Sequence, residues 1–384
     1  MQKNGVIRLR KYRYVLIVLM AILLALMFHV SPYDNMDFVR HSRVMDFIRD
    51  SHISLKNFLL NADLINKNET SSDTLGFNIL EYFFAITFKN NYVFVWFLTA
   101  VNYSALAYIA YDYKKGYKLE EVLFAIGLCF GYLPFVHVVS GLRTGNAICL
   151  VTLSIYLLYF KKRYLISIFL SIIAIMIHSI VIIPIFVAVV VYLIPNKKII
   201  FVFGGAFLFL NVVIKILSNF SLGFITRIIT KYNRYTGENQ FKGYKFSFYG
   251  ALAFCLIYLF FYMCFYYFKD NSKKYNNNFK FLRLNKYNKE IKEKFFLFLA
   301  SYSVVIICNY NGHEFVNRLS YLIGAFSPII TSYFYEPKKE LEEQAVAFVT
   351  RMALLLLIFA MCALNIFHYK RFFKLIYAIR ISCK

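Results

Sequence analysis

Three basic side chains stand apart by where they fall in the chain. Arg143 lies within Ser140-Gly-Leu-Arg-Thr-Gly-Asn-Ala147, and His178 is followed by Ser179 in the middle of a long apolar stretch. Arg318 comes directly after Asn309-Tyr-Asn-Gly-His-Glu-Phe-Val-Asn317. A guanidinium at a membrane edge can form a bidentate pair with phosphate, and a lipid diphosphate carries its charge at that depth. Transfer of a group off such a lipid needs the departing diphosphate neutralised, which arginines can do. It also needs a base for the attacking hydroxyl, and an ordinary histidine titrates in the right range. Each residue alone also has a structural reading: Arg143 and Arg318 as snorkelling or interfacial anchors, and His178 as a cap on helix-end carbonyls. Further candidates for holding an anionic or sugar substrate are Asp34, Asp37, Arg227, Lys231, Arg234, His313 and Glu314. His178, His313, Glu314, Asp34 and Asp37 all stay open as the proton acceptor.

Composition says what kind of scaffold must position these groups. The chain has 384 residues, 60% of them hydrophobic, 20% aromatic and 17% charged. A soluble domain carries about 25% charged residues. Lipid is the solvent in which so apolar a chain can leave its outer face uncovered, and helices satisfy their own backbone there. The net charge of +24 falls mostly in short gaps between apolar runs. That is the pattern of cytoplasm-facing topology signals, and it excludes a nucleic-acid-binding surface. The seven cysteines show no C-x-x-C pair, so neither a zinc site nor a disulfide framework is indicated. The basic stretch Lys3 to Arg13 followed by apolar Tyr14 to Val30 reads as a retained first helix.

The expected fold is all-α, a single polytopic membrane domain over 1–384 with about 11 transmembrane helices. Spans are expected at 14–30, 92–110, 119–138, 144–160, 164–178, 180–194, 199–217, 247–268, 295–309, 319–335 and 346–367. The stretch Tyr164 to Ile194 is about twice one span, and a tight hairpin at His178–Ser179 divides it. With the N-terminus inside, that hairpin puts Asp112 to Lys118, Lys161-Lys162-Arg163, Lys197–Lys198 and the basic loop 269–294 all on the cytoplasmic side. A large loop over 31–91 then lies outside, holding short surface or re-entrant helices. Leu75 to Phe88 is the amphipathic segment within it. The basic loop 218–246 is outside too, against the usual bias, and the basic C-terminal tail falls outside with an odd count of spans. Arg143, His178 and Arg318 collect on this outer face.

Taken in order, these pieces resemble the EpsG-type exopolysaccharide polymerases, relatives of the Wzy polymerases of O-antigen and capsule synthesis. The pieces are Asp34-Asn-Met-Asp37 at the start of the first outer loop, and Asp73-Thr-Leu-Gly-Phe77, where the family more often has Glu and Pro. The central block runs from Gly141-Leu-Arg-Thr-Gly-Asn-Ala147 through Lys161-Lys-Arg163 to His178-Ser179, and Asn317-Arg-Leu-Ser320 resembles the late arginine motif. The resemblance implies a bacterial inner-membrane enzyme joining undecaprenyl-diphosphate-linked oligosaccharide units. It implies neither metal nor organic cofactor, and suggests a chain-length regulator as partner. The rival readings are a multi-span lipid-phosphosugar glycosyltransferase using Asp34 and Asp37, a flippase for the lipid-linked glycan, and a membrane acyltransferase using His29.

Overall fold

The computed structural model describes residues 37–65, 74–113, 142–217, 255–256, 289–309, 313–326 and 329. Among the described residues the chain is helical and forms no strand. In chain order the helices are α1 (Asp37–Ser51), α2 (Leu55–Ile65), α3 (Leu75–Thr87) and α4 (Tyr92–Tyr113). Then come α5 (Leu142–Tyr156, prolonged by a π-turn over Leu157–Lys161), α6 (Tyr164–Ile177), α7 (Ile182–Leu193) and α8 (Ile199–Leu217). The last two are α9 (Lys289–Cys308) and α10 (His313–Ala325). The expected spans 14–30, 119–138 and 346–367, the loop 218–246 and most of 269–294 lie outside the described residues.

By length and composition two of these helical stretches can cross a bilayer, Tyr92–Ile109 within α4 and Leu142–Lys161 through α5. Helices α9 and α10 begin at Lys289 and His313, each six residues ahead of its apolar run. Their first turns are polar, and in α9 Lys294 pairs with Glu290 one turn back at 2.8 Å. A search for apolar length therefore sees only the later part of each helix.

On α6 and α8 large apolar side chains face outward. On α6 the outward residues are Leu165, Phe169 and Ile172, with Leu165 84% exposed, while Ser167 and Ala174 are buried. Phe201 on α8 is 82% exposed. The inward seam is polar and small. Ser154 of α5 donates to the Ser167 carbonyl at 2.8 Å, and Ser167 returns a bond to the Ser154 carbonyl at 3.0 Å. Ser171 Oγ lies 2.8 Å from Ser154 Oγ. Small residues and interhelical hydrogen bonds hold helices together where the surroundings are as apolar as their own side chains.

Helix direction follows from which residues meet. The Tyr164 and Tyr192 hydroxyls are 2.8 Å apart, so α6 and α7 form a hairpin. One continuous helix would separate those residues by about 42 Å. Asn146 Nδ2 donates to Asn102 Oδ1 at 2.9 Å, and the Tyr156 hydroxyl donates to Asp112 at 2.5 Å. Both pairs are 44 residues apart, so α4 and α5 run parallel in constant register. One end of the bundle then holds Asp112 with its ion-pair partner Lys161, and Tyr192 under the Lys294 ammonium. The opposite end holds Thr144, His178 and Arg318.

Helices α1 and α3 pack side by side at this second end. Arg49 of α1 donates to the Ala85 and Phe88 carbonyls (3.3 and 3.0 Å) and so closes the C-terminus of α3. The amphipathic segment is thus no isolated surface helix. It buries Phe77, Asn78, Glu81, Phe84 and Ala85 and exposes Leu75, Phe83 and Ile86. Its first turn abuts α6, where a Cβ on Gly76 would lie 2.9 Å from Met176 Cβ and 3.2 Å from the Met176 backbone carbonyl. Backbone cannot swing aside as a side chain can. Gly76→Ala should therefore destabilise the protein by about 1–3 kcal/mol, read as a lower thermal midpoint in detergent. An unchanged midpoint would mean that α3 does not rest on α6.

Candidate functional site

The site is built where α5, α10 and the α6–α7 turn converge. Arg143 and Thr144 lie in the first turn of α5, so Arg143 is on the helix and not in the turn before it. Arg318 stands five residues into α10 and does not open it. The small residues Thr144, Gly145, Asn146 and Ala147 are all buried, which lets α4 and α10 approach the α5 backbone.

His178 ends α6 with an extended backbone (φ −158°, ψ 118°), and its N–H still donates to the Ala174 carbonyl at 2.9 Å. Its ring Nδ1 accepts the N–H of Ile180 at 3.2 Å, which starts the 3-10 turn Ser179–Val181 leading into α7. The ring thus caps a backbone N–H of the following turn and not the helix-end carbonyls expected of it, and this contact fixes the ring. With Nδ1 accepting, the neutral imidazole carries its proton on Nε2. Arg318 Nη1 is 3.3 Å from that Nε2 and donates to Thr144 Oγ1 at 3.3 Å. Guanidinium and imidazole thus meet donor to donor, and an oxyanion placed between them would accept from both.

Electrostatics point the same way. His178 lies in the turn outside both helices, yet it is buried, and its pKa is pushed well below the ordinary histidine value. Burial is the largest cause, followed by the charges of Arg318 and Arg143. The ordinary pKa that would suit a general base at this position is not what the fold provides. His178 remains neutral and donates, while the arginines supply positive charge.

Arg143, His178 and Arg318 are thus brought together. The other expected site residues are not joined to them by any described contact. Asp37 is the first residue of α1, and His313 and Glu314 are the first two of α10. Asp34, Arg227, Lys231 and Arg234 lie outside the described residues. Among the described residues no group of His, Cys, Asp and Glu is arranged to hold a metal ion.

Two features escaped the reading of the sequence. Thr144 sat inside the arginine motif without a role, and it is the hydroxyl that receives Arg318. The second is the buried pair His41–Glu81, with Nδ1 and Oε1 2.8 Å apart. Its signal was available, since Glu81 is the only ionisable group in the apolar run Leu75 to Phe88 other than Tyr82.

Helices with lipid-suited outer faces, the only regular structure among the described residues, define a membrane protein, and Arg143, His178 and Arg318 gather at one end of it. The family model described as the EpsG family matches residues 12–378, and the chain belongs to that family. Membership implies an exopolysaccharide-polymerase-like function. No curated protein matches the chain, and no solved structure does.

The depressed pKa of His178 has a consequence for stability. As pH falls, the unfolded chain takes up the proton before the folded one does, so folded stability is lost below the ordinary histidine value of about 6.5. The thermal midpoint of the wild type should drop more steeply between about pH 7.5 and pH 5.5 than that of His178→Gln. Parallel curves would show that neither burial nor the neighbouring arginines lower the pKa of this imidazole.

Proposed function

We propose that the chain is a polymerase that joins undecaprenyl-diphosphate-linked oligosaccharide units at the external face of the bacterial cytoplasmic membrane. The observation that supports it most is Arg318 reaching across 174 and 140 residues of sequence to Thr144 and to His178. In this reading the diphosphate of the donor lipid lies between Arg318, Arg143 and the Nε2–H of His178. The bond from the anomeric carbon to the diphosphate breaks with its electron pair on the phosphate oxygen, where the two guanidiniums offset the growing charge. The acceptor hydroxyl loses its proton to a base, and its oxygen forms the new glycosidic bond. Thr144 holds the Arg318 fork at the angle the phosphate requires.

The size distribution of lipid-linked and surface glycan in a strain lacking the gene tests the reading. Complete single units without long chains are expected, and restoring the gene should restore polymer. Truncated units would replace this reading with a glycosyltransferase that adds one sugar. Complete units held on the cytoplasmic side would replace it with a flippase. Arg318→Ala and Arg143→Ala should each lower polymer formation by about 10²–10³-fold. Arg318→Lys should recover only part of it, because an ammonium keeps the charge but not the planar fork.

A further inference from the structure

The His41–Glu81 pair is buried: His41 is 3% exposed and Glu81 0%. Glu81 Oε1 is 2.8 Å from His41 Nδ1. Against a carboxylate, Nδ1 must carry the proton, so the neutral ring presents a bare lone pair at Nε2. That Nε2 is buried and has no hydrogen-bond partner, and the same holds for Glu81 Oε2. A buried polar atom without a partner is costly, so two in one pair call for a reason. Carboxylate, imidazole and an open Nε2 make up the arrangement in which an acid fixes a histidine's tautomer and steadies the imidazolium once it has taken a proton.

The pair is linked to the arginine cluster through the first turn of α3. Phe77 packs on the His41 ring with centroids 4.9 Å apart, and the residue before it, Gly76, abuts Met176, two residues from His178. Phe77 also packs on Phe94 of α4, at 5.4 Å. Five residues further along α4, about 8 Å along the axis, is Thr99, which the constant α4–α5 register sets level with Arg143. Thr99 Oγ1 and Asn102 Nδ2 are likewise buried without hydrogen-bond partners. Acceptors at Nε2 and Oε2, a donor at Nδ2 and a hydroxyl that does both are what the hydroxyls of a sugar pair with.

Resting on the polymerase reading, we propose that His41 is the general base that takes the acceptor sugar's proton, with Glu81 as its positioning residue. The acceptor O–H bond breaks, its proton passes to His41 Nε2, and the oxygen forms the bond to the anomeric carbon as the diphosphate departs. The imidazolium, paired with Glu81, then gives its proton to water or to the released diphosphate. His178 keeps the separate task of donating to the diphosphate.

The test uses the full-length protein in lipid nanodiscs, with the lipid-linked repeat unit isolated from the deletion strain as both donor and acceptor. Capture of radiolabelled unit and its conversion to longer chains are measured separately. His41→Gln should bind the unit within about twofold of wild type while turnover falls about 10²–10⁴-fold. Added imidazole should restore turnover to His41→Ala at least tenfold, and should not do so in a double variant that also carries Glu81→Ala. Near-wild-type turnover in His41→Gln would overturn the inference. So would turnover in His41→Gln and His41→Ala falling only in step with folded protein and not responding to imidazole, since the pair would then merely hold α1 on α3. Folded wild type that binds complete units and never joins them would instead overturn the polymerase reading itself.

Discussion

Ser154, Asn146 and Tyr156 lie on one helix, and each reaches a polar partner on a neighbour: Ser167, Asn102 and Asp112. Lipid offers no hydrogen bonds, so a polar atom left on the outer face of this bundle would stay unsatisfied at a cost of several kcal/mol. Apolar side chains by contrast lose nothing by facing hydrocarbon, and Leu165, Phe169 and Phe201 do so. Polar contacts therefore set the register between helices, a task that shape-matched apolar packing performs in water-soluble cores. A slip of one residue between α4 and α5 would unpair both Asn102 from Asn146 and Asp112 from Tyr156.

Everything at the cationic end depends on that register. It fixes the height at which α5 presents Arg143 and Thr144, and the serine contacts fix where α6 ends. The chain leaves α6 through an extended residue whose own ring begins the next turn, so the His178 side chain has little freedom left. Arg318 then approaches a ring that cannot turn away. Burial would ordinarily disfavour a cation beside other cations, and the fold answers by keeping the imidazole neutral. The site has positive charge from guanidiniums and directed N–H groups from an uncharged ring. Charge and direction come from different residues.

The hairpin at His178 was legible because both loops flanking it are basic, Lys161 to Arg163 and Lys197–Lys198, and only a reversal puts them on the same side. The small residues after Arg143 were legible as a motif, and their burial explains their size. Helix starts at Lys289 and His313 were not, since polar first turns carry no apolar signal. The lowered pKa of His178 was not legible either, because it comes first from burial in the folded bundle and then from Arg318, which lies 140 residues away, and Arg143. Nor was the partner of His41. Its carboxylate is 40 residues downstream on a helix that, by composition, reads as a surface segment.

The span between His178 and Arg318 also has a meaning in time. A ribosome adding about 5–20 residues per second needs roughly 7 to 28 seconds to make the intervening segment. During that interval the receiving hydroxyl and ring have been made, but the guanidinium that reaches both has not. A half-made chain therefore carries an incomplete centre, and completion is tied to the synthesis of one late helix.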